Sequence, residues 1–360
     1  MLNRILLIAT LLPVFLAAQT MSIEEYEPRS TLVVPETIVE RARYPFIDVH
    51  NHQRRLSSAD QVESLLKDMD RLNMRTMVNL SGGYGDRLKR NVEALGAVGG
   101  ERIVVFANID FSGIDDPDYP DRAAAQLEQD VNNGARGLKI FKNLGLTTQD
   151  TQGRRIPVDD ARFDKLFETC GRLKIPVLIH TAEPSPLFEP MDRHNERWLE
   201  LKLYPRRARP PERFPGWESI MAEQHRLFAR HPNTIFIAAH LGWLGGDLAR
   251  LGKLLDRLPN VYTEFGAVIE ELGRQPRTAR EFYIKYQDRV LFGKDTWRPN
   301  EYATYFRVLE TADEYFPHDR KHHGLWRLYG LDLPGEVLKK LYYKNALRII
   351  PGLSAEGFPD

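Results

Sequence analysis

The 360-residue chain carries 50 Lys and Arg residues against 50 Asp and Glu residues, with 42% hydrophobic and 28% charged residues. This composition is ordinary for a globular protein and excludes a largely disordered chain. The balanced charge creates no field that would favour nucleic acid or an anionic membrane, so no nucleic-acid partner is expected. Cys170 is the only cysteine, which excludes an internal disulfide and a thiolate cluster and leaves imidazole and oxygen as metal ligands.

The N-terminus has the pattern of a secretory signal peptide. Arg4 precedes a nearly unbroken apolar segment, residues 5–18, that ends in small residues before Gln19. This segment is shorter than the roughly 20 residues of a stable membrane span, although a retained anchor is the alternative. We therefore expect a signal peptide over residues 1–18, a polar lead-in over residues 19–43, export to a bacterial periplasm, and no membrane attachment after cleavage.

From Pro45 onward, eight short apolar or β-branched runs alternate with longer stretches that carry apolar residues at helical spacing. The predicted strands are Phe46–His52, Thr76–Leu80, Ile103–Ile109, Gly137–Phe141, Pro176–His180, Thr234–His240, Val261–Phe265 and Val290–Asp295. The predicted helices between them include Ala59–Leu72, Ala123–Asn133, Asp160–Leu173, Ser219–Arg230 and Asp247–Leu258. Apolar strands separated by helices indicate a parallel sheet covered by helices, and eight units over about 250 residues predict a (β/α)8 TIM barrel in an α/β protein.

The alternative fold is a doubly wound open sheet. Gly82, Gly83 and Gly85 follow the second predicted strand but do not form the phosphate-binding pattern that often opens such folds. We therefore place a single barrel domain over residues 44–352.

Two additions extend the minimal barrel. Residues 181–216, after the fifth strand, are rich in Pro and Arg, which favours a rigid loop over a continuous helix. A long insertion over the C-terminal face of a barrel is often a substrate lid, and a surface excursion or an oligomer contact are the alternatives. After the eighth strand, Glu301–Tyr315 and Glu336–Ile349 are predicted extra C-terminal helices.

Five side chains suited to metal binding or proton transfer lie at C-terminal strand ends, where barrel enzymes build their active sites. His50 and His52 end the first strand and, being two residues apart, project from the same face. His180 ends the fifth strand, His240 the sixth and Asp295 the eighth. Such a set can hold a catalytic metal with an open position for water or substrate. Asp295 can bind the metal or accept a proton, and His240 can be a ligand or an acid–base group.

The motifs DVHNH, VLIHT, AAHLG and LFGKD together resemble the amidohydrolase superfamily, in particular its amidohydrolase-related branch of metal-dependent hydrolases and decarboxylases. The resemblance extends from His50 to the C-terminal helix. It implies one divalent metal ion, expected to be zinc, bound by His50, His52, His180 and Asp295. It also implies that His240 orients or activates the bound water or protonates the substrate.

The fourth strand carries two lysines, Lys139 and Lys142. In binuclear relatives, a carboxylated lysine or an acid at this strand end bridges two metals. Leu138 and Ile140 suit the side that faces the helices, which turns Lys139 and Phe141 inward. Lys139 is therefore our candidate, either to bridge metals or to clamp a substrate carboxylate, whereas Lys142 is equally well explained as solvent-exposed.

Further substrate-binding candidates follow the strand ends. Arg54 and Arg55 come after the first motif, Arg193 lies in the insertion, and Trp297 follows the last motif. An arginine beside a metal suits a planar carboxylate, and a tryptophan can form an apolar wall. A surface salt bridge is the competing explanation for each arginine.

Three other polar residues stay outside the predicted site. His322 and His323 lie in a charged C-terminal loop without strand context. Glu264, on the seventh strand, either supports a metal ligand or is a polar residue at a packed strand end.

These residues lead to a first hypothesis of an exported hydrolase, in which a metal-activated water attacks an amide, ester or lactone carbonyl of a small molecule. The second hypothesis is a nonoxidative carboxy-lyase that removes carbon dioxide from a small carboxylic acid. A structural barrel or a metal-binding receptor is the non-enzymatic alternative. Export favours hydrolysis, whereas the arginines favour a carboxylated substrate. A homo-oligomer is left open by the sequence.

Overall fold

A computed structural model describes residues 20–54 and 58–359 of the chain. The predicted signal peptide, residues 1–18, and Arg55 lie outside the described residues. No helix within the described ranges combines the length and the apolar character that crossing a membrane requires.

The chain divides into two compact units, Met1–Val33 and Val34–Asp360. In the described part of the first unit, the backbone N–H groups of Glu25 and Tyr26 donate to the carbonyl of Ser22 and form a turn. The second unit contains all the regular strands and helices given below.

Parallel strands form the centre of the second unit. They are β1 (Phe46–Asn51), β2 (Met74–Asn79), β3 (Ile103–Val105), β4 (Ala107–Asn108), β5 (Leu138–Ile140), β6 (Val177–Ile179), β7 (Phe236–Ala238), β8 (Val261–Glu264) and β9 (Val290–Leu291). Only Phe106 separates β3 from β4, so the two act as one strand and eight strands result. Sequential neighbours pair in parallel from β1 to β3 and from β4 to β9.

Backbone contacts join the last strand to the first. Val49 N donates to Phe292 O over 3.0 Å, Asp295 N donates to His50 O over 2.6 Å, and Asn51 forms a parallel bridge with Asp295. The strand order therefore follows the chain and returns to β1. This arrangement confirms the predicted TIM barrel and excludes the open doubly wound sheet.

Helices surround the strands. They are α1 (Ala59–Leu72), α2 (Gly85–Gly99), α3 (Tyr119–Asn132), α4 (Asn143–Leu146), α5 (Asp164–Leu173), α6 (Trp198–Leu203), α7 (Trp217–Arg230), α8 (Leu248–Arg257), α9 (Ile269–Gly273), α10 (Pro276–Lys285), α11 (Tyr302–Glu310), α12 (Gly335–Lys339) and α13 (Asn345–Ile349). A π-helical turn, Lys340–Lys344, joins α12 to α13, so these three pieces cover the predicted Glu336–Ile349 helix.

The first helix shows how local sequence sets these boundaries. The side chain of Ser58 accepts the backbone N–H of Gln61 and caps the N-terminus, whereas Asn73 ends the helix in the left-handed conformation. Val62, Leu65 and Met69 are buried at helical spacing and pack in the core. The predicted bounds of this helix are confirmed.

The predicted helix Glu301–Tyr315 is too long. Helix α11 ends at Glu310 because the backbone of Thr311 is extended and its hydroxyl donates to Arg307 O over 2.8 Å. Beyond it, an antiparallel ribbon of β10 (Phe316–Pro317) and β11 (Arg327–Leu328) precedes α12. We call residues 318–326, between its strands, the ribbon loop.

The insertion after β6 contains short helical pieces between prolines. They are the 3-10 turns Ser185–Phe188 and Pro205–Arg207 and the helix α6. The prediction that the insertion is not a continuous helix is therefore confirmed. Its side chains Leu199 and Leu201 are buried.

Asp48 connects the first strand of the barrel to the segment that follows its last strand. Its Oδ1 accepts the backbone N–H groups of His50 (3.0 Å) and Lys294 (3.1 Å), and its Oδ2 accepts Asn51 Nδ2 (3.0 Å) and the Tyr302 hydroxyl (2.6 Å). The side chain is fully buried. One carboxylate thus ties β1 to the segment after β9 and to α11.

The substitution Asp48→Asn should destabilise the barrel, because the amide brings N–H groups against hydrogen-bond donors. Burial raises the pKa of Asp48 to about 6, so the comparison belongs at pH 8, where the side chain is ionised. We expect the free energy of unfolding, from urea denaturation, to fall by about 1–3 kcal/mol. Asp68→Asn, at a 38% exposed site, is the control and should change it by less than about 0.5 kcal/mol. Equal effects of the two substitutions would contradict this role.

Candidate metal centre

The structure brings the strand-end side chains together at the C-terminal face of the barrel. Asp295 Oδ1 lies 3.6 Å from His50 Nε2 and 3.5 Å from His52 Nε2. Ligand atoms of His50, His240 and Asp295 all lie within 4.8 Å of one another. His180 joins this group through a 3.2 Å contact between its Nδ1 and His240 Nε2. We call these five residues the metal cluster.

Glu264, at the end of β8, orients two members of the cluster. Its Oε1 lies 2.8 Å from His50 Nδ1 and accepts the backbone N–H of His240 over 2.8 Å. Both His50 and Glu264 are fully buried. A carboxylate requires a donor, so the His50 proton is placed on Nδ1 and the lone pair of Nε2 faces the cluster. Gly293 permits this approach, because a Cβ at that position would clash with the Glu264 carboxylate.

A second chain of contacts fixes the tautomers of His240 and His180. His240 Nδ1 lies 2.6 Å from the carbonyl of Gly266, which only accepts, so His240 is protonated on Nδ1. In the neutral ring, Nε2 then accepts the proton of His180 Nδ1. The lone pair of His180 therefore lies on Nε2. Like His50 Nε2, this buried atom has no hydrogen-bond partner within the described part of the chain.

The backbone that carries His240 is strained. His240, Leu241, Gly242 and Trp243 have φ between 55° and 58°, a left-handed turn that costs about 1–2 kcal/mol for each residue with a side chain. This turn brings the Trp243 ring onto that of His240, with centroids 4.6 Å apart, and 5.5 Å from that of His180. The strained turn thus places the Trp243 ring against both histidines.

His52 is held from two sides. Its Nδ1 lies 2.9 Å from Ser81 Oγ, and its ring stacks on Phe141 with centroids 5.7 Å apart. These contacts direct Nε2 to Asp295. The donor set therefore fits a divalent metal ion, since the Nε2 atoms of His50 and His52 both lie within 3.6 Å of Asp295 Oδ1.

Electrostatics favour neutral imidazoles and an ionised carboxylate. Burial, followed by Lys139, lowers the pKa of His52 to about 4 and that of His50 well below its usual value. Burial, followed by His240, lowers the pKa of His180 well below its usual value too. Burial alone would raise the pKa of Asp295, but His50, His240 and His52 outweigh it and lower this pKa to about 2. Metal ligands need these protonation states.

The two lysines of the fourth barrel strand have different environments. Lys139 is 1% exposed, its Nζ lacks a hydrogen-bond partner in the described residues, and burial lowers its pKa to about 7. Lys142 is 43% exposed and pairs with Glu183 over 2.6 Å. The expected inward direction of Lys139 is therefore observed, and Phe141 lies beside it.

A cavity of about 360 Å³ opens above the cluster. It is lined by Lys142, His180, Glu183, Pro184, Arg197, Tyr204, Arg207, His240, Trp243, Ala267, Asp295, Thr296, Arg298, Arg320, His322 and His323. We call it the cleft. The insertion after β6 and the ribbon loop both contribute to its wall, in addition to the strand ends.

The predicted substrate-binding residues fall largely outside this lining. Arg54 and Arg193 are exposed, and Arg193 Nε contacts His194 Nε2 over 3.1 Å. Trp297 packs against Tyr302 with centroids 5.6 Å apart. None of the three lines the cleft, because strand-end spacing does not fix the direction of loop side chains.

The insertion instead contributes a buried arginine that sequence spacing did not single out. Arg197 is 3% exposed and donates to Glu200 (3.2 Å), Glu270 (3.1 Å) and His323 Nε2 (2.8 Å). Because Glu270 lies on α9, this network ties the insertion and the ribbon loop to the barrel. His323, left outside the predicted site for lack of strand context, is thus part of the cleft wall. The one sequence feature that could have indicated this role is the run HDRKHH at residues 318–323, which places three histidines close together after α11.

Solved structures of other proteins share the fold of this chain. The crystal structure of 2,6-dihydroxybenzoate decarboxylase with bound 2,6-dihydroxybenzoate has a TM-score of 0.54 and 16% identity, covering 85% of this chain and 99% of that one. An uncharacterised TIM-barrel protein of Bordetella bronchiseptica has a TM-score of 0.50 and 14% identity, covering 84% and 97%. The 4-oxalomesaconate hydratase of Rhodopseudomonas palustris has a TM-score of 0.50 and 14% identity, covering 85% and 95%. These similarities show a shared fold.

Sequence comparison supplies the family. A comparison with curated proteins gives no match. The sequence model of the family described as Amidohydrolase matches residues 108–352, which is more than half of the chain. The matched range begins after β1 and β2 and includes His180, His240 and Asp295. The chain therefore belongs to this amidohydrolase family.

Proposed function

We propose that this protein is a metal-dependent hydrolase that acts on an amide, ester or lactone carbonyl of a small molecule. The observation that carries the proposal is the convergence of Asp295 Oδ1 with the Nε2 atoms of His50 and His52 at 3.5–3.6 Å. Nearby, the buried lone pair of His180 Nε2 has no partner among the described residues.

One divalent ion, for which we propose zinc, would be held by His50, His52, His180 and Asp295 and would supply Lewis acidity and a water of lowered pKa. The low pKa values of the imidazoles keep these ligands neutral at physiological pH. Three neutral ligands and one carboxylate suit this role, because they leave a net positive charge at the site.

Two members of the cluster can move protons. Asp295 is ionised at neutral pH, since its pKa is about 2, and its carboxylate can accept a proton from the attacking water. His240 keeps its own proton on Nδ1 through Gly266 O. Its Nε2, which accepts from His180 Nδ1, would release that contact when it takes up a proton and delivers it to a leaving group. Lys139 Nζ, buried beside the cluster, would bind a substrate oxygen.

A decarboxylase is the second candidate, favoured by the cationic lining of the cleft. In this reaction the same side chains would hold a substrate carboxylate, and His240 or Asp295 would protonate the carbon that loses carbon dioxide. A 2,6-dihydroxybenzoate decarboxylase is among the solved structures that share this fold, which supports this second candidate.

The two candidates are separated by one screen. Zinc-loaded protein is offered amides, esters, lactones and aromatic carboxylates in ¹⁸O-labelled water, with mass spectrometry of products and gas analysis. Hydrolysis incorporates ¹⁸O without release of carbon dioxide, and this is the expected result. Release of carbon dioxide without ¹⁸O in the organic product would establish the second candidate instead.

Asp295→Asn should lower kcat/KM on any substrate found by at least about 100-fold, because the amide is a poor metal ligand and no base. Steady-state kinetics and metal analysis of the purified variant provide the measurement. Asp332→Asn, at a 66% exposed carboxylate, is the matched control and should retain wild-type activity. Unchanged turnover by Asp295→Asn would place the active centre elsewhere.

Glu264→Gln should weaken zinc binding by about 10- to 100-fold, since a neutral amide no longer fixes the proton of His50 on Nδ1. Competition with a chromogenic chelator measures this affinity, and circular dichroism verifies the fold. Glu63→Gln, on the exposed face of α1, should bind zinc like the wild type. Wild-type affinity in Glu264→Gln would show that this carboxylate does not support the site.

We also propose export to a bacterial periplasm, on the basis of the apolar segment at residues 5–18. Expressed in a Gram-negative host, the protein should appear in the periplasmic fraction with a mature N-terminus near Gln19. Intact-mass measurement and N-terminal sequencing check this. A cytosolic protein that still begins at Met1 would refute it.

A further inference from the structure

Five cationic side chains line the cleft, and four of them are paired. Lys142 contacts Glu183, Arg197 contacts Glu270, Arg207 contacts Glu200, and Arg298 contacts Glu301. Each of these pairs satisfies its cation within the protein. Their charges therefore shape the potential of the cleft without requiring a ligand.

Arg320 is the exception. It lies in the ribbon loop, lines the cleft and is only partly exposed, yet its guanidinium has no hydrogen bond or ion pair with any described residue. Withdrawing an arginine from water without a direct hydrogen-bond partner costs free energy, which a bound anion would recover. Its five N–H donors suit a planar carboxylate.

The surroundings keep Arg320 charged and fixed in place. Burial alone would lower its pKa, but Glu270, Tyr305 and Glu301 outweigh it and raise the pKa. The next turn of the ribbon loop is anchored by His323, which is 1% exposed and bonded to Arg197. His323 N also donates to Arg320 O over 3.1 Å. The loop therefore presents the guanidinium from a preorganised wall.

We propose that Arg320 binds a carboxylate of the substrate at a distance from the reacting group, so that the substrate is a small molecule with an anionic end opposite the metal cluster. The proposal rests on the proposed function in placing the reacting group at that cluster. It assigns the specificity for the anionic end to a residue of the ribbon loop. No strand-end residue is needed for this recognition.

The test measures binding alone. Linear dicarboxylates from malonate to pimelate, each with its half-amide, are titrated into zinc-loaded protein by calorimetry. At the chain length that binds most tightly, the wild-type protein should bind the dicarboxylate about 10- to 100-fold more tightly than its half-amide. This is the effect expected from hydrogen bonds to a charged group. Arg320→Gln should abolish this preference, and Arg320→Lys should retain part of it. Circular dichroism checks the fold of each variant.

The matched control is Arg298→Gln, which alters a paired arginine of the same cleft, 66% exposed, and should keep the preference. Binding of neither compound, equal binding of both, or a preference that survives in Arg320→Gln would overturn the proposal. Because no turnover is required, these outcomes are independent of whether the protein proves to be a hydrolase. Absence of hydrolysis with an Arg320-dependent preference would reject the reaction and keep the anion site.

Discussion

The arrangement of the metal cluster depends on the buried carboxylate of Glu264. One oxygen of this side chain accepts both the ring N–H of His50 and the backbone N–H of His240, and the other accepts the backbone N–H of Gly266. It therefore couples His50, the member of the metal cluster on β1, to the left-handed turn that follows β7. Gly293 leaves the space that this carboxylate occupies.

From this contact the proton positions follow in order. Gly266 supplies the carbonyl that holds His240 Nδ1–H, and His240 Nε2 in turn accepts from His180. The lone pair of His50 Nε2 is thereby directed to Asp295, and that of His180 is left on its buried Nε2. Asp48 acts on the backbone, because it fixes the end of β1, which carries His50, and the segment after β9, which carries Asp295. The hydrogen bonds of Asp48 and Glu264 therefore hold the barrel together and also position the side chains of the metal cluster.

Segments outside the barrel strands form much of the wall of the cleft above the cluster. The insertion provides Arg197 and the ribbon loop provides His323 and Arg320, and the buried Arg197 network connects the two segments to α9. The barrel thus carries the metal cluster, whereas the added segments form much of the wall of the cavity. This division is general in TIM barrels, where loop variation adapts one scaffold to many substrates.

The sequence predicted the barrel and the strand-end residues because the period-two alternation of a strand fixes the direction of each side chain. This alternation also predicted that Lys139 points inward. It gave no information on Arg193, which is exposed, or on Arg197, four residues later, which is buried. Loop directions depend on tertiary contacts such as the Arg197 ion pairs, and α11 ends early because Thr311 bonds back to Arg307. Neither contact has a local sequence signature.

The central claim is a single metal ion at the C-terminal face of the barrel. A crystal structure of the zinc-loaded protein, with anomalous scattering recorded above and below the zinc edge, tests it most directly. We expect one zinc peak per chain, within bonding distance of His50, His52, His180 and Asp295. A peak at a different cluster, such as Glu270, His318 and His323, or two peaks bridged by Lys139, would contradict this account.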